Sequence, residues 1–216
     1  MGQAVVKKLL EQGFKVVGII APGEEAKTGT SHDNFTTALV DLTNEADAEK
    51  FITDTTDKYQ NIDAAVLTVG GFAIGTVSQT KTSDIAKQYQ LNFETAYNIA
   101  RPVFNNIRQN KTGRIFLIGS RPGIDAAAGK GMIAYSLAKS LIFRLAELMN
   151  DEAKVNIVTG LVVPSTIDTP TNRKAMPGAD FNVRVKPEAI ADVIYFYCTE
   201  EAAVLRGPVI KVYNNS

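Results

Sequence analysis

Tyr135 and Lys139, four positions apart, could form a device for proton transfer. They lie in the segment MIAYSLAKSLIF, residues 132–143, where we predict a helix. Residues i and i+4 of a helix share a face, so the ammonium group would lie near the phenol. A phenol normally loses its proton near pH ~10, and a nearby positive charge lowers that pKa. A Tyr-x-x-x-Lys match is common by chance, so its meaning depends on the residues around it.

Two further polar side chains stand where they could assist this pair. Ser120 ends the strand-like segment RIFLIGS, so in a parallel sheet its hydroxyl would lie at the carboxyl edge and could bind a substrate carbonyl. Asn92 falls inside a long predicted helix, where a short amide contributes little to helix propensity. Taken singly, each has an ordinary explanation: a surface pair for Tyr135 and Lys139, a loop cap for Ser120, and a local backbone partner for Asn92.

The elements that must position these residues alternate along the chain. Short β-branched runs predict strands at 15–20, 37–40, 64–69, 114–118, 155–163 and 209–212, and several are continuously apolar, as strands buried on both faces are. Helices are predicted between them at 3–12, 45–59, 83–110, 132–150 and 187–200. Asn44 stands where an N-cap is expected and Pro187 where a first-turn proline is tolerated. The alternation predicts one parallel sheet covered on both faces, a doubly wound, Rossmann-like α/β/α domain spanning residues 1–216.

Composition limits the classes of function. The 216 residues include 23 Lys+Arg and 23 Asp+Glu, a balance that argues against a general nucleic-acid or membrane-surface binder. Cys198 is the one cysteine and His32 the one histidine, which excludes a disulfide framework and makes a metal site improbable. No apolar run approaches the roughly 18–20 residues of a membrane span. We therefore expect a cytoplasmic protein without nucleic-acid, membrane or metal partners.

The segments that contain these polar residues resemble the short-chain dehydrogenase/reductase family. GRIFLIGSRPG, AYSLAKSLIFRLAELM and LNFETAYNIARP match the family in order and roughly in spacing, and the likeness covers nearly the whole chain. It implies an NAD(P)-dependent oxidoreductase that transfers a hydride between nicotinamide and a carbonyl, alcohol or related C=N substrate. By this resemblance Tyr135 is the general acid/base, Lys139 lowers its pKa and binds the nicotinamide ribose, and Ser120 polarises the substrate carbonyl. Asn92 would hold a water in a proton relay behind Lys139.

The resemblance also implies a set of cofactor-binding residues. VDLTNEADAEKF is similar to the segment that meets the adenine, VLTVGGFAIG to the family's Asn-Asn-Ala-Gly strand end, and VVPSTIDTP to its Pro-Gly turn near the carboxamide. Besides Tyr135 and Lys139, the residues carried over are Gly2, Asp41, Leu42, Val69, Gly70, Gly71, Pro164, Ile167 and Thr169. The family commonly pairs its two longest helices across a two-fold axis, here 83–110 and 132–150, so we expect a homodimer or homotetramer.

The sequence departs from the family pattern at its beginning. The family opens with a strand and a Thr-Gly-x-x-x-Gly-x-Gly turn, and the following helix binds the pyrophosphate. Here MGQAVVKKLLEQGFKVV corresponds to that helix, with Gly2 as the one motif glycine. The family's first, central strand is therefore expected to be missing, which would leave its two neighbouring strands without a ladder partner. Two explanations are open: a mis-assigned or truncated start, or a chain that has lost dinucleotide binding and serves as a binding or oligomerisation module.

Other departures bear on the branch of the family and on specificity. Val69 and Gly70 replace the usual Asn-Ala, and Ser165 replaces the glycine after Pro164, which is more similar to the dihydropteridine-reductase-like branch. No residue after KVVGII chooses between NAD and NADP, and no motif names the substrate. A Rossmann-type methyltransferase is disfavoured, because no glycine-rich loop of that kind follows the first strand.

Overall fold

The computed structural model describes residues 1–24, 31–153 and 156–215. Its helices are α1 (Gly2–Glu11), α2 (Glu45–Tyr59), α3 (Thr82–Tyr89), α4 (Thr95–Asn110), α5 (Ile133–Glu152), α6 (Pro170–Ala175) and α7 (Pro187–Phe196). Its strands are β1 (Val16–Ile20), β2 (Phe35–Leu39), β3 (Ala64–Leu67), β4 (Gly113–Ile118), β5 (Ile157–Pro164) and β6 (Val209–Val212). A π-helical turn, Gln90–Glu94, connects α3 to α4.

The strands form two parallel sheets. β1 pairs with β2, with Val16 opposite Phe35, and β3, β4, β5 and β6 pair in that order. The doubly wound α/β class is confirmed, but the prediction of one continuous sheet is wrong. Within the described residues β1 and β3 each have a strand partner on one side only, and a cavity of about 870 Å³ lies between them.

Helices cover both faces of the strands and give the three layers. On one face, Val5 and Leu9 of α1 join Ile190 and Ile194 of α7 in an apolar cluster with the strands. On the other face, α2, α4 and α5 contribute to a second cluster that includes Ile99. Burial differs sharply between strands: every residue of β5 is buried, whereas every residue of β1 and β3 is only partly buried. The layering is therefore complete around β4 and β5 and incomplete at the cavity.

Predicted and observed elements agree in type and differ mainly at their ends. Asn44 caps α2, because its Oδ1 accepts hydrogen bonds from the backbone N–H groups of Ala46 at 3.0 Å and Asp47 at 3.4 Å. Pro187 is the first residue of α7, as predicted. The single helix predicted at 83–110 is α3, the π turn and α4 in succession, and position 155 of the predicted run 155–163 lies outside the described residues.

Three findings concern membranes, metals and the cysteine. None of the described helices is both long enough and apolar enough to cross a membrane. Across residues 1–24, 31–153 and 156–215, no group of three or more His, Cys, Asp or Glu is arranged to hold a metal ion. Cys198 is a free thiol whose pKa is raised to about 11 by burial, so it is protonated and unreactive at neutral pH.

Candidate active site

The carboxyl ends of the parallel strands bring the predicted polar residues to one edge of the larger sheet. Gly70 and Gly71 follow β3, Ser120 follows β4, and Pro164 ends β5. Because these strands run in the same direction, their carboxyl ends meet at the same edge, where ligands bind in open α/β sheets. Tyr135 lies in the first turn of α5, and α5 packs on β4 and β5.

The hydroxyl groups of Ser120 and Tyr135 are neighbours at this edge. The Ser120 side chain is buried, and its Oγ makes no hydrogen bond of regular geometry to any described group. Burial raises the pKa of Tyr135, and an interaction with the Ser120 hydroxyl lowers it by a smaller amount. The two hydroxyls are thus neighbours that do not form a hydrogen bond of regular geometry. A buried hydroxyl with an unused donor is costly in isolation, so Ser120 is suited to bind an oxygen brought by a ligand.

Lys139 lies one turn further along α5 and is directed inward. Its side chain is 5% exposed, and Nζ donates a hydrogen bond to the carbonyl oxygen of Ile118 at 2.8 Å. Burial lowers its pKa to about 8. Lys139 was expected to lower the pKa of Tyr135, but the net shift of Tyr135 is upward, because removal of the phenol from water outweighs the favourable contacts.

Asn92 connects the strand end after β3 to the helix behind it. Its Oδ1 accepts from the backbone N–H of Gly71 at 3.1 Å, and its Nδ2 donates to the Gly71 carbonyl at 3.0 Å and to Gln88 Oε1 at 3.0 Å. A Cβ on Gly70 would lie 2.8 Å from Asn92 Oδ1 and 3.3 Å from Lys139 Nζ. Position 70 therefore has to be glycine for Asn92 and Lys139 to approach the strand end this closely.

The π turn places Asn92 in this position. The backbone N–H of Thr95 bonds to the carbonyl of Gln90, five residues back, so the turn contains one residue more than an α-helical turn. Asn92 is 1% exposed, although the helix on either side presents polar residues to solvent. Isolated π turns often occur at functional sites, and this one directs a buried amide to the edge of the sheet.

Three of the predicted cofactor-binding residues line the cavity between β1 and β3, and Asp41, the residue predicted to meet the adenine, lies close after β2. Gly2, Leu42 and Val69 line it, and a Cβ on Gly2 would lie 3.2 Å from Thr68 Oγ1. Asp41 follows β2, where its carboxylate accepts from the backbone N–H of Thr43 at 2.9 Å and from Thr43 Oγ1 at 2.7 Å. These bonds lower the pKa of Asp41.

The residues predicted near the carboxamide follow β5. Pro164 is buried and pairs with Val212. Ile167 accepts a hydrogen bond at its carbonyl from Asn172 Nδ2 at 2.8 Å, and Thr169 Oγ1 accepts from the Asn172 backbone N–H at 3.2 Å. Asn172 thus fixes both residues at the start of α6.

Two residues of the site were missed by sequence reasoning. The ring of Phe72 packs edge-on against Tyr135, with centroids 5.3 Å apart and planes at 76°, and Phe72 is 60% exposed. Gln88 is buried and holds the Asn92 amide. Gln88 stands four residues before Asn92, a spacing that brings side chains together on a helix and could have signalled the pair. No local pattern pointed to Phe72.

Comparison with known proteins decides the family. A family model described as short chain dehydrogenase matches residues 1–180. The chain belongs to the short-chain dehydrogenase family. This short-chain dehydrogenase is 22% identical over 227 residues to an acetoacetyl-CoA reductase of Acinetobacter sp. (strain RA3849), covering 98% of this chain and 91% of the relative. It is 23% identical to the 3-oxoacyl-[acyl-carrier-protein] reductase FabG of Buchnera aphidicola, with the same two coverages of 98% and 91%.

Solved structures share the fold of this short-chain dehydrogenase. ElxO with NADP bound superposes with a TM-score of 0.87 at 21% identity, covering 99% of this chain and 92% of that one. The aldohexose dehydrogenase of Thermoplasma acidophilum superposes with a TM-score of 0.83 at 21% identity, covering 99% and 88%. Family membership makes the protein an NAD(P)-dependent oxidoreductase that acts on a small-molecule substrate.

The described residues fit the nicotinamide end of such a cofactor. At the nicotinamide end, the buried Ser120 Oγ has no hydrogen-bond partner of regular geometry, and Gly70 leaves room beside Lys139. At the phosphate end, α1 begins at Gly2 with Met1 as an N-cap that makes no side-chain hydrogen bond. The strand edges of β1 and β3 beside it are open.

Proposed function

We propose that this protein transfers a hydride between nicotinamide and a carbonyl or alcohol, or a related C=N group, at the site formed by Ser120, Tyr135, Lys139 and Asn92. The observation that carries the proposal is the buried Ser120 hydroxyl, which lacks a regular partner and adjoins the Tyr135 hydroxyl. The bound cofactor would supply or accept the hydride.

Ser120 and Tyr135 have complementary roles at the substrate oxygen. The Ser120 hydroxyl donates a hydrogen bond to the carbonyl oxygen, and this bond strengthens as negative charge grows on that oxygen. The Tyr135 hydroxyl gives its proton to the same oxygen in reduction and takes it back in oxidation. Burial raises the pKa of Tyr135, which keeps the phenol protonated and ready to donate in the reductive direction.

Lys139 and Asn92 support this proton transfer by binding the groups next to Tyr135. An ammonium has three donors; one is used by the Ile118 carbonyl, which leaves donors for a ribose hydroxyl and a water. Because its pKa is about 8, Lys139 is mostly charged at neutral pH yet can release a proton at modest cost. Asn92 fixes Gly71 and would hold the relay water next to Lys139.

The remaining cofactor-binding residues are assigned by their place in the fold. Gly70 and Gly71, together with Val69, would allow close approach of the nicotinamide ribose to the end of β3. Ile167 and Thr169, after Pro164, would face the carboxamide. Asp41 and Leu42 after β2 would meet the adenine, and Gly2 would lie at the phosphates.

The substrate class we favour is a small 3-oxoacyl compound. The Acinetobacter relative is named an acetoacetyl-CoA reductase and the Buchnera relative a 3-oxoacyl-[acyl-carrier-protein] reductase. The exposed Phe72 ring beside Tyr135 would provide an apolar surface next to the reacting carbon.

The test is turnover at millimolar NADH or NADPH, so that weak cofactor binding does not limit the rate, with acetoacetyl-CoA and a panel of simple ketones. Replacing Tyr135 by Phe removes the proton donor and leaves the helix unchanged, so kcat should fall by about 10²–10⁴-fold. Ser120→Ala should lower kcat less, and Lys130→Ala, a nearby lysine without an assigned role, should change little. Near-full turnover of Tyr135→Phe would refute the proposal.

The alternative function, a non-catalytic binding or oligomerisation module, is favoured by one observation, the open cavity between β1 and β3. It predicts no turnover with any carbonyl compound at any cofactor concentration. Detectable turnover that depends on Tyr135 would exclude it.

Assembly and location are also part of the proposal. We place one Rossmann-like domain over residues 1–216 in the cytoplasm as a homodimer or homotetramer. Leu141 and Leu148 of α5 are 39% and 57% exposed, as is Tyr97 of α4 at 40%, and they would pack across a two-fold axis. Ile99 and Leu145, which lie on the same two helices and were expected to join that contact, are instead buried in the core of the chain. A monomer in light scattering at micromolar concentration would argue against this assembly.

A further inference from the structure

Gln88 of α3 is a buried polar side chain that has no role in the function proposed above. It is 8% exposed, and α3 packs on α5, the helix that carries Tyr135 and Lys139. A glutamine is seldom buried to this extent unless its amide is hydrogen-bonded. Its partner is Asn92, whose Nδ2 donates to Gln88 Oε1 at 3.0 Å. A second buried amide therefore stands directly behind the site.

The backbone of Gly71 decides which way both amides face. Its N–H can only donate, so the Asn92 atom that meets it at 3.1 Å has to be the oxygen Oδ1. Asn92 Nδ2 then faces the Gly71 carbonyl at 3.0 Å and the Gln88 side chain. Because Nδ2 is a donor, Gln88 has to turn its oxygen towards Asn92. Each of the two amides thus has one orientation.

Gln88 holds the Asn92 amide from a direction that Gly71 does not. The two bonds between Asn92 and Gly71 lie on one residue, so alone they leave the amide free to tilt about the line between them. The bond to Gln88 Oε1 fixes the plane of the amide. The backbone carbonyl oxygen of Gln88 is a poor substitute, because it lies 3.3 Å from Asn92 Nδ2, beyond the usual limit of about 3.2 Å.

The orientation of Asn92 matters because the chain after β3 packs against it. A Cβ on Gly70 would lie 2.8 Å from Asn92 Oδ1 and 3.3 Å from Lys139 Nζ, so the Gly70 backbone is close to both side chains. A tilt of the Asn92 amide would therefore displace the Gly70 and Gly71 backbone, the Lys139 ammonium, or both. This is the surface on which the nicotinamide ribose is proposed to lie.

The far end of Gln88 lies where water can reach it. Gln88 lines a groove of about 500 Å³ together with Asp84 and Lys87 of α3 and Ala134 of α5. Since Oε1 faces Asn92, the Nε2 donor is left for water in this groove. An apolar side chain of the same length would fill this space equally well, so packing alone does not require glutamine. The need for an acceptor beside Asn92 does.

We propose that Gln88 is a positioning residue for the hydride-transfer site. Through Oε1 it fixes the Asn92 amide, and through Asn92 it fixes the Gly70 and Gly71 backbone beside Lys139. In this role Gln88 contacts Asn92 and not the reacting atoms. Its effect on kinetics rests on the proposed function, whereas its effect on the Gly71 backbone does not.

The experiment compares Gln88→Met, Gln88→Glu and Gln109→Met with the parent. Methionine has the length and the unbranched shape of glutamine but lacks a strong acceptor. Glutamate keeps an oxygen for Asn92 Nδ2 in either protonation state. Gln109 is exposed near the end of α4, so Gln109→Met is the matched control for the same substitution at a helical position without this contact.

Amide hydrogen exchange at Gly71 measures the structural effect without a cofactor. The Gly71 N–H bonds to Asn92 Oδ1, so its exchange should become at least about tenfold faster in Gln88→Met. Exchange at Phe116, in the core of β4, should change far less, which separates a local effect from a general loss of stability. Gln88→Glu and Gln109→Met should behave as the parent does.

Kinetics measure the effect on the reaction. At millimolar NADH or NADPH, kcat of Gln88→Met should fall by about 10–100-fold, because a misplacement of about 1 Å can cost about 10²-fold. KM for the carbonyl compound should change much less, since Ser120 and Tyr135 lie on other elements. Gln88→Glu should recover most of the lost kcat.

Three outcomes would overturn the inference. One is unchanged exchange at Gly71 in Gln88→Met. The second is a Gln88→Glu variant as impaired as Gln88→Met, since the acceptor would then not be the cause. The third is parent-like kcat together with faster exchange at Gly71, which would make Gln88 a purely structural residue.

Two further results keep the test decisive. If the parent shows no turnover, the proposed function fails, and exchange at Gly71 still decides whether Gln88 fixes the chain after β3. If Gln88→Met does not fold, the parent decides. Both Nδ2 protons of Asn92 should then be protected from exchange in the parent, and rapid exchange of either would overturn the inference.

Discussion

The two ends of the proposed cofactor path differ in how completely their strands are enclosed. At the Ser120 end, β4 and β5 pair on both sides, and almost all their residues are buried. At the Gly2 end, β1 and β3 pair on one side only and are partly exposed throughout. The strands at the two ends are similarly apolar, so sequence composition does not cause the difference; the number of strand partners does.

This difference determines what each end can do. Where the strands are enclosed, charged and polar groups such as Lys139 and Ser120 are held in dry, fixed positions, which strengthens their electrostatic effects. Where the strands are open, the backbone groups of β1 and β3 that face the cavity stay accessible to water.

The largest expected effect tests whether the Lys139 side chain, at the Ser120 end, is shielded from water. Lys139 has a pKa of about 8, against an ordinary value of 10.5, because it is buried. Below pH 8 the lysine is charged in both the folded and the unfolded state, and burial of the charge destabilises the folded state. Between pH 8 and 10.5 the folded protein releases this proton while the unfolded chain keeps it, so stability rises with pH. The total effect is about 3 kcal/mol at most.

The measurement is the unfolding free energy of the parent and of Lys139→Met between pH 7 and 10.5. The variant should be the more stable protein at pH 7, and its advantage should shrink as the pH rises. The contributions of the other titrating groups are the same in both proteins, so they cancel when the two unfolding free energies are subtracted. If the difference in unfolding free energy between the parent and Lys139→Met does not change with pH, Lys139 is exposed to water in the folded protein. The Ser120 end would then be as open as the Gly2 end.

The next effect concerns the open end. The 216-residue chain should bind NADH or NADPH at least about 100-fold more weakly than a micromolar site, a loss of about 2.7 kcal/mol, because Gly2 alone does not form a phosphate cradle. A fused strand and glycine turn ahead of Gly2 should restore binding. Cofactor fluorescence checks both proteins, and micromolar affinity of the 216-residue chain would remove the contrast between the two ends.

The smallest effect lies where the two ends meet. Gly70→Ala puts a Cβ 2.8 Å from Asn92 Oδ1 and 3.3 Å from Lys139 Nζ, so it should reduce kcat about tenfold and stability by about 1–2 kcal/mol. Gly178→Ala is the matched control, since a Cβ there meets nothing within 4 Å, and it should stay within about 0.5 kcal/mol. Equal kinetics for the two variants would show that position 70 is not part of the site.

The sequence was sufficient to predict the features that depend on the spacing of apolar residues and on the order of strands and helices along the chain. Apolar runs separated by helical segments predicted a doubly wound fold, and the parallel direction of the strands implied that Ser120 and Gly70 end at one edge. The Asn44 cap of α2 followed from its side chain and the acids after it. These features are local, or follow from topology rules that hold for most parallel sheets.

Features that depend on distant neighbours were not predictable in the same way. No single run encodes the split between β1 and β3, because it is a matter of strand pairing; it could be expected only from the strand that the family pattern has before Gly2. The upward pKa shift of Tyr135 arises from burial by the assembled site, whereas the sequence showed only the lysine four residues away. The same holds for the Phe72 ring, which meets Tyr135 from 63 positions earlier in the chain.

The π turn at Gln90–Glu94 sets the rotational phase between the two helices it connects. Each residue of an α-helix turns the chain by about 100°, so loss of one residue from this segment would rotate α3 by that angle relative to α4. Gln88 would then leave Asn92, and Asn92 would leave Gly71, with every side chain still present. The site thus depends on a residue count as well as on residue types, and a one-residue deletion here should be more damaging than most substitutions.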